Sequence, residues 1–540
     1  MPTLDWIGKD KVINHHREVP FRVLDEQYTY NAESSENMII HGDNLLALKA
    51  LLPQYEGRIK CIYIDPPYNT GNEKWIYNDN VNDPQIKKWL GEVVGKEGED
   101  LSRHDKWLCM MYPRLRLLHK LLSEDGVIFI SIDDNELVFL NCICNEIFGI
   151  NNFVDRITVI VKPEGRRYGS FAKTHEYLLV YAKSIDKINL NEITVEGKKY
   201  DYSDQNGGFN LKGLRNRNVR AFNSNNRPNL RYPFYVDIDN PDENGLSKVC
   251  TYPQNGYVEV WAQTIDGLES VWRWGKDKAN RQNDELCAYR GNDGIIRIFQ
   301  KERKLTETAK TVWNDKKYNS IVGTREIKDL FGNALFDFPK PLSLIKQILS
   351  IGTDEETIVL DSFAGSGTTA HAVLEMNKAD GGNRKFILVE MGDYADSITA
   401  ERVKRVIDGY GEGKNKTEGT GGNFTYYELG EMLLLPDGNL NESVDTQKIR
   451  EYVYYMETKT AITPGIDIND PYFLGICRDT SYYFYYEKDS ATTLSIDFLP
   501  QIKQRADAYV IYADTCTISK DDLEKWNIIF KKIPRDIAKL

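Results

Sequence analysis

The chain reads as a doubly wound α/β protein with a mixed sheet, and three observations lead there. The apolar run Ile59-Lys60-Cys61-Ile62-Tyr63-Ile64 is short, rich in β-branched residues and ends at Asp65-Pro66-Pro67-Tyr68, so it predicts a buried strand with a stiff exit. About 300 residues later, Thr357 to Phe363, Ala364-Gly365-Ser366-Gly367-Thr368-Thr369 and Ala370 to Met376 read as strand, glycine loop and helix. Between and around them, β-branched runs alternate with helical ones, the pattern of a parallel sheet covered on both faces.

In chain order, the first 36 residues are polar and irregular, with Trp6 and Phe21 as packing anchors. Met38 to Asp43 is a short strand ending in an acid; Asn44 to Leu52 has helical spacing and is expected to stop at Pro53. Asp43 can meet a ligand's amino group or simply cap that helix. Gly71 to Asp105 is a long polar loop, a length that often carries function. Trp107 to Leu122 is an amphipathic helix, Ser123 to Gly126 a turn, Val127 to Ile132 a strand and Asn135 to Phe148 a helix. Phe153 to Val161 and Tyr177 to Tyr181 read as an antiparallel pair beside the parallel strands. His175, just before the second, is expected to satisfy local hydrogen bonds.

Residues 185–335 have poor helical periodicity and many Tyr, Trp, Asn and Arg residues, as in a β-rich, loop-rich insert. Leu342 to Ser350 is a helix with proline near its start, and Lys385 to Glu390 is a strand ending in an acid. From about Leu435 a Tyr-rich acidic tail alternates helices and strands around no catalytic constellation. Five segments follow: 1–36, 37–184, 185–335, 336–434 and 435–540.

Two loops carry the chemistry. Pro66 and Pro67 have no N–H and each prefers an extended predecessor, so the first loop is stiff and its carbonyls stay free to accept. A carboxylate and a carbonyl there can hold an exocyclic amine while Tyr68 stacks on the attached ring, which suits a flipped-out amino base. In the second loop Gly365 and Gly367 permit positive φ and close approach of a ligand to the backbone, space that a branched side chain at 367 would occupy. Thr368 or Thr369 can cap the following helix. No Lys-Ser/Thr pair follows the second glycine, against a phosphate-binding loop. Ala370 only loosely replaces a third glycine, against a dinucleotide fingerprint. Glu390 is placed to meet ribose hydroxyls, leaving open cofactors with a ribose and no pyrophosphate, S-adenosylmethionine among them.

Composition bounds the rest. No stretch approaches the roughly 18–20 apolar residues that span a bilayer, and the first six residues lack a signal peptide's pattern, so the expectation is a cytoplasmic protein with no membrane partner. The eight cysteines are scattered, and Cys142-Ile143-Cys144, the only close pair, has no second pair or histidine cluster to complete a zinc site; no metal is expected. The formal net charge of −12 argues mildly against a general nucleic-acid binder. Its distribution weakens that objection: residues 151–235 carry seven more Lys and Arg than Asp and Glu, and 272–328 lean the same way. The bland reading of such basic runs is a solvated surface.

Asp-Pro-Pro-Tyr followed, much later, by Asp361 to Thr369 resembles the β group of amino-methylating DNA methyltransferases, in which the catalytic half precedes the cofactor half. From about Asn37 to Arg405 the chain is similar to modification subunits of type III restriction systems and their stand-alone relatives, with further matching text at Asp65–Asn72, Ile76–Asp79, Trp107–Leu115, Gly126–Asp134, His175–Tyr177 and Phe336–Leu342. The resemblance implies a Rossmann-like, S-adenosylmethionine-dependent methyltransferase sheet in circularly permuted order, with an inserted recognition domain and a small α/β C-terminal domain. It implies methylation of adenine N6 in a specific duplex DNA sequence, with Asp65, Pro66, Pro67 and Tyr68 catalytic. Asp43, Lys340, Pro341, Asp361, Phe363, Ala364, Gly365, Ser366, Gly367, Thr368, Thr369 and Glu390 would hold the cofactor. Asp at 65 points to adenine, where Ser would point to cytosine N4. An RNA adenine methyltransferase and a non-catalytic DNA-recognition subunit are the other readings. The resemblance places a target-recognition region between the two halves, where the basic runs lie, and so implies Arg166, Arg167, Arg215, Arg217, Arg227, Arg273 and Lys276 as DNA contacts that read guanine edges and phosphates. Expected partners are double-stranded DNA, a second copy of the chain and an ATP-dependent restriction subunit of the Res type.

Overall fold

The run Ile59–Ile64 (β3) does become a buried strand, and its place in the sheet explains why its exit matters. The computed structural model describes residues 3–70, 99–167, 170–194, 197, 199–411, 413, 416–460, 470–534 and 536–537. Two compact units divide the chain: Met1–Asn191 with Ala309–Leu540, and Glu192–Thr308.

In the first unit the strands of the main sheet are β1 (Arg22–Tyr30), β2 (Met38–His41), β3, β4 (Leu122–Ile132), β5 (Phe153–Ile160), β6 (His175–Ala182), β7 (Val312–Trp313), β8 (Ile358–Asp361), β9 (Lys385–Glu390) and β10 (Phe424–Met432). They form one sheet in the order β1-β10-β2-β9-β8-β3-β4-β6-β5-β7. The six strands from β10 to β4 are mutually parallel. β6 pairs antiparallel with both β4 and β5, so the antiparallel pair expected from sequence is present.

The helices that flank it include α1 (Asn44–Tyr55), α2 (Glu99–Leu121), α3 (Leu137–Phe148), α4 (Leu342–Gly352), α5 (Thr368–Asp380) and α6 (Glu401–Asp408). Side chains alternate across a strand. Ile62, Ile64, Ile128 and Ile130 share a core with Leu48 of α1, Leu115 of α2 and Leu140 of α3. Cys61, Val127 and Phe129, one residue out of step, instead meet Gly352 of α4, where an added Cβ would collide with them. Helices therefore cover both faces, which is why β3 and β8 read as unbroken apolar runs.

β3 leads through α2 to β4 on one side; β8 leads through α5 to β9 on the other. The chain thus leaves the β3/β8 pair in opposite directions, a topological switch point, and open α/β sheets bind ligands in the crevice this leaves beyond the strand ends. Val359 pairs with Cys61 and Leu360 with Ile62, so the two loops singled out in the sequence emerge from neighbouring strands.

Several expectations need correction. The N-terminal stretch is not irregular: β1 is a nine-residue edge strand paired with β10, its mostly half-buried, polar-rich pattern hiding it from an apolar scan. Pro53 does not end α1, and Pro113 lies inside α2. Each removes one donor, and flanking bonds and buried faces keep the helix going. Residues 123–126 are not a free turn but part of β4, absorbed by a register shift opposite Ile59–Cys61. The sequence from Leu499 to Ala506 reads as a helix, yet only a single turn forms there, Leu499–Gln501. Residues 71–98, most of the long polar loop expected from Gly71 to Asp105, lie outside the described residues, and from Glu99 on that stretch is already α2.

The second unit is β-rich. Tyr202–Asp204, Gly207–Gly213, Ile296–Glu302 and Leu286–Arg290 form a four-stranded sheet in that order. Its core is built around Phe234, Trp272 and Trp274. Its limits are narrower than the 185–335 stretch expected. The C-terminal residues carry a helix, Thr446–Thr458, and a four-stranded sheet around Tyr452, Leu474, Phe484 and Tyr512. The Tyr455 hydroxyl donates to the Glu56 carboxylate at the end of α1.

Candidate active site

Asp65 leaves the end of β3 into a charged pocket. Lys340 Nζ lies 3.2 Å from Asp65 Oδ1 and 2.8 Å from Glu176 Oε2. The Tyr68 hydroxyl donates to Glu176 Oε2 at 3.0 Å and lies 2.5 Å from Nζ, which also sits 4.8 Å from the Tyr68 ring centroid. Asp65 Oδ1 is buried and receives no well-directed hydrogen bond. Burial pushes the Asp65 carboxyl above its ordinary range, and the Lys340 ammonium pulls it back. Burial also pushes the Tyr68 phenol well up, helped by the carboxylates of Asp65 and Glu176.

The loop is held from behind. Trp107 Nε1 on α2 donates to the Pro67 carbonyl at 2.7 Å. Asn69 takes a left-handed backbone, φ +57°, and its amide donates to buried Glu136, which also lies 2.5 Å from His104 Nδ1. Burial raises the Glu136 carboxyl to about 7.

The second loop is braced by its own side chains. Asp361 accepts from Phe363 N at 3.1 Å and from the Thr369 hydroxyl at 2.5 Å, and burial raises it to about 7. Glu390, at the end of β9, accepts from Gly365 N at 2.7 Å, from Gly392 N at 2.9 Å and from the Tyr394 hydroxyl at 3.0 Å. Neither threonine caps α5: Gly367 is the N-cap, with φ +79°. A Cβ at Gly367 would meet the Thr399 carbonyl at 3.1 Å, so this glycine makes room for the protein's own backbone. Ser366 and Thr368 are engaged by the fully buried Arg402 guanidinium at 2.9 and 2.7 Å. Asp43 caps α1 through Leu45 N at 2.8 Å and Leu46 N at 3.3 Å and faces Arg114 at 3.3 Å, the capping alternative.

A nucleoside-bearing cofactor fits what remains. Ser362 Oγ is buried without a hydrogen-bond partner, and at Gly365, φ +52°, the absent side chain leaves bare backbone beside Phe336. With Asp361, Ser366, Thr368 and Thr369 turned inward, the backbone from Phe363 to Gly365, with Ser362 and Glu390, is the surface such a group would meet.

The sequence-predicted DNA contacts divide between the units. Arg166 and Arg167 form a two-residue strand in the first; Arg215, Arg217, Arg227, Arg273 and Lys276 belong to the second. There Arg273 N donates to Leu214 O and Arg215 bridges to Trp272, bringing Arg215, Arg217 and Arg273 together. Arg227 and Lys276 are exposed. Other members of the basic run serve the fold: Arg303 and Lys301 pair with Asp204, and Arg231 bonds to the Ser270 carbonyl at 2.8 Å. Sequence reasoning gave Glu176, Glu136, Trp107 and Arg402 no role in the site, although Trp107 and Glu176 lie in the family-matching text Trp107–Leu115 and His175–Tyr177.

Paired strand ends carrying an acid–proline–aromatic loop and a glycine loop define a class. Residues 59–401 match the N6/N4 methyltransferase family model, described as DNA methylase, and the chain belongs to that family. It is 35% identical over 418 residues to the type III restriction-modification enzyme EcoPI Mod subunit of Escherichia phage P1, an alignment covering 72% of this chain and 63% of that one. It is 35% identical over 359 residues to the type II methyltransferase M.KpnI of Klebsiella pneumoniae, covering 66% and 81%. With the StyLTI Mod subunit of Salmonella typhimurium it shares 32% over 437 residues, 75% and 62%. The chain thus spans just under two thirds of the length of these two Mod subunits.

Proposed function

We propose that this chain transfers a methyl group from S-adenosylmethionine to the exocyclic N6 of an adenine in a specific duplex DNA sequence, as the modification activity of a restriction-modification system. One observation carries the reading: the Asp65 carboxylate, with the Lys340 ammonium 3.2 Å from Oδ1, stands beside the Tyr68 ring at a strand end adjoining the glycine loop. A carboxylate offers about four acceptor positions, so with the ammonium in place it keeps capacity for a ligand's N–H.

When bound, S-adenosylmethionine supplies a methyl group on a sulfonium that already contains its leaving group. The protein's own part is alignment and drying. An adenine amine is a poor nucleophile because its lone pair is delocalised into the ring. Asp65 and the Pro66 carbonyl accept its two hydrogens, turning the lone pair out of conjugation and stabilising the charge that develops on nitrogen. Tyr68 stacks on the extruded base and offsets part of the unstacking cost, a few kcal/mol. Phe363 to Gly365 and Glu390 hold the cofactor, with Pro341 at its methionine end.

Asp65→Ala tests the reading. Turnover falls more than 100-fold while calorimetric cofactor affinity stays within about twofold; turnover within tenfold of the parent sinks it. Long-read sequencing of DNA from an expressing host then shows N6-methyladenine in one motif, and N4-methylcytosine would move the assignment to the second base. A homodimer and a Res-type nuclease partner belong to the same reading; the type III restriction-modification Mod subunits among the relatives support the second. Among the described residues no helix is long and apolar enough to cross a membrane.

A further inference from the structure

Lys340 was expected beside the cofactor, yet its ammonium points into the base pocket, and its backbone is fixed there by several independent contacts. Phe338 adopts a left-handed φ of +53°, a conformation a bulky residue keeps only when its surroundings impose it. Gly323 has no Cβ to collide with the Pro339 carbonyl. Leu342 N donates to Glu326 Oε2 at 2.9 Å, and the Thr368 hydroxyl donates to the Lys340 carbonyl at 3.3 Å. The Lys340 side chain is only 14% exposed.

Two carboxylates share this pocket. Without a cation between them, desolvation and mutual repulsion favour a proton on one. A protonated Asp65 would present an O–H donor where a target amine needs an acceptor. We propose, on the base-site reading above, that Lys340 is a positioning residue: anchored on Glu176, its ammonium keeps Asp65 an acceptor-only carboxylate aimed at the amine. The groups facing Asp65 are Lys340, Glu176 on β6, Tyr68 on its own loop, Tyr63 on β3 and Asp361 on β8. Lys340 is the cation among them, and its attraction is the largest influence opposing the burial of Asp65.

The test is kcat against pH for the full-length protein, with saturating S-adenosylmethionine and a duplex containing the motif found by sequencing. Lys340→Met moves the acid limb upward by at least about one pH unit, the usual reach of a close opposite charge. Its turnover, at least tenfold down near neutrality, recovers at higher pH. Lys340→Arg holds the limb near its parent position, and Glu176→Gln, which frees the ammonium for Asp65 and removes a like charge, moves it downward. Equal loss at every pH in Lys340→Met would make Lys340 a plain brace. An unmoved limb with more than tenfold weaker cofactor binding would return it to the cofactor. Either result overturns the proposal. Should Lys340→Met fail to fold, Glu176→Gln decides alone, since an unmoved or raised limb there overturns it equally. Turnover retained in Asp65→Ala would defeat the base-site reading itself; turnover lost there with unmoved limbs would defeat only the role of Lys340.

Discussion

Glu136 shows how a single residue couples the site to pH. It is fully buried under the Asp-Pro-Pro-Tyr loop, where the Asn69 amide and His104 meet it. Its folded carboxyl titrates at about 7, above the ordinary 4.5, because burial disfavours the charge. A raised folded value means that its contribution to stability is full below about 4.5 and is lost as pH climbs through 7; the limit of the effect is about 3 kcal/mol. Glu136→Gln is therefore expected to flatten the fall in melting temperature between pH 5 and pH 8, measured by calorimetry against the parent. An identical fall in both proteins would show that Glu136 does not titrate in that window. None of this was legible beforehand, since Glu136 reads only as an acid in the first turn of a helix expected from Asn135, and its enclosure beneath the loop comes from the folded α2 and the start of α3.

At the scale of elements, the β3 and β8 exits were legible because their signals are local: β-branched runs ended by proline or glycine. What escaped was settled by neighbours far along the chain. β1 became a strand because β10 offers it a ladder, and α1 ran through Pro53 because its apolar face was already buried. The Gly367 requirement was visible, but its cause was not: Thr399, 32 positions on, fills the space that seemed reserved for a ligand. Gly367→Val should consequently lower stability by about 1–3 kcal/mol through backbone strain and overlap. Cofactor affinity falls with it, by urea denaturation and calorimetry. Parent stability with selective loss of cofactor binding would restore the ligand-space explanation.

For the whole molecule, the division into two units separates chemistry from the proposed reading of sequence. Exchanging Glu192–Thr308 for the matching unit of a relative is expected to change the methylated motif and leave N6-methyladenine as product, scored by long-read sequencing. An unchanged motif would put recognition elsewhere. The stems of that unit make the exchange practical. Asn191 N donates to the Ile351 carbonyl at 2.9 Å, and its side chain to the Thr353 carbonyl at 2.6 Å. On the returning side, Thr158 N donates to Thr311 O at 2.8 Å as β7 joins the edge of the sheet. Each stem is thus stitched to the catalytic unit by its own main-chain bonds, outside the segment to be exchanged. To a lineage under pressure to mark different DNA, that arrangement is a socket: one crossover on either side of it delivers a new vocabulary while the methylating machinery is inherited whole.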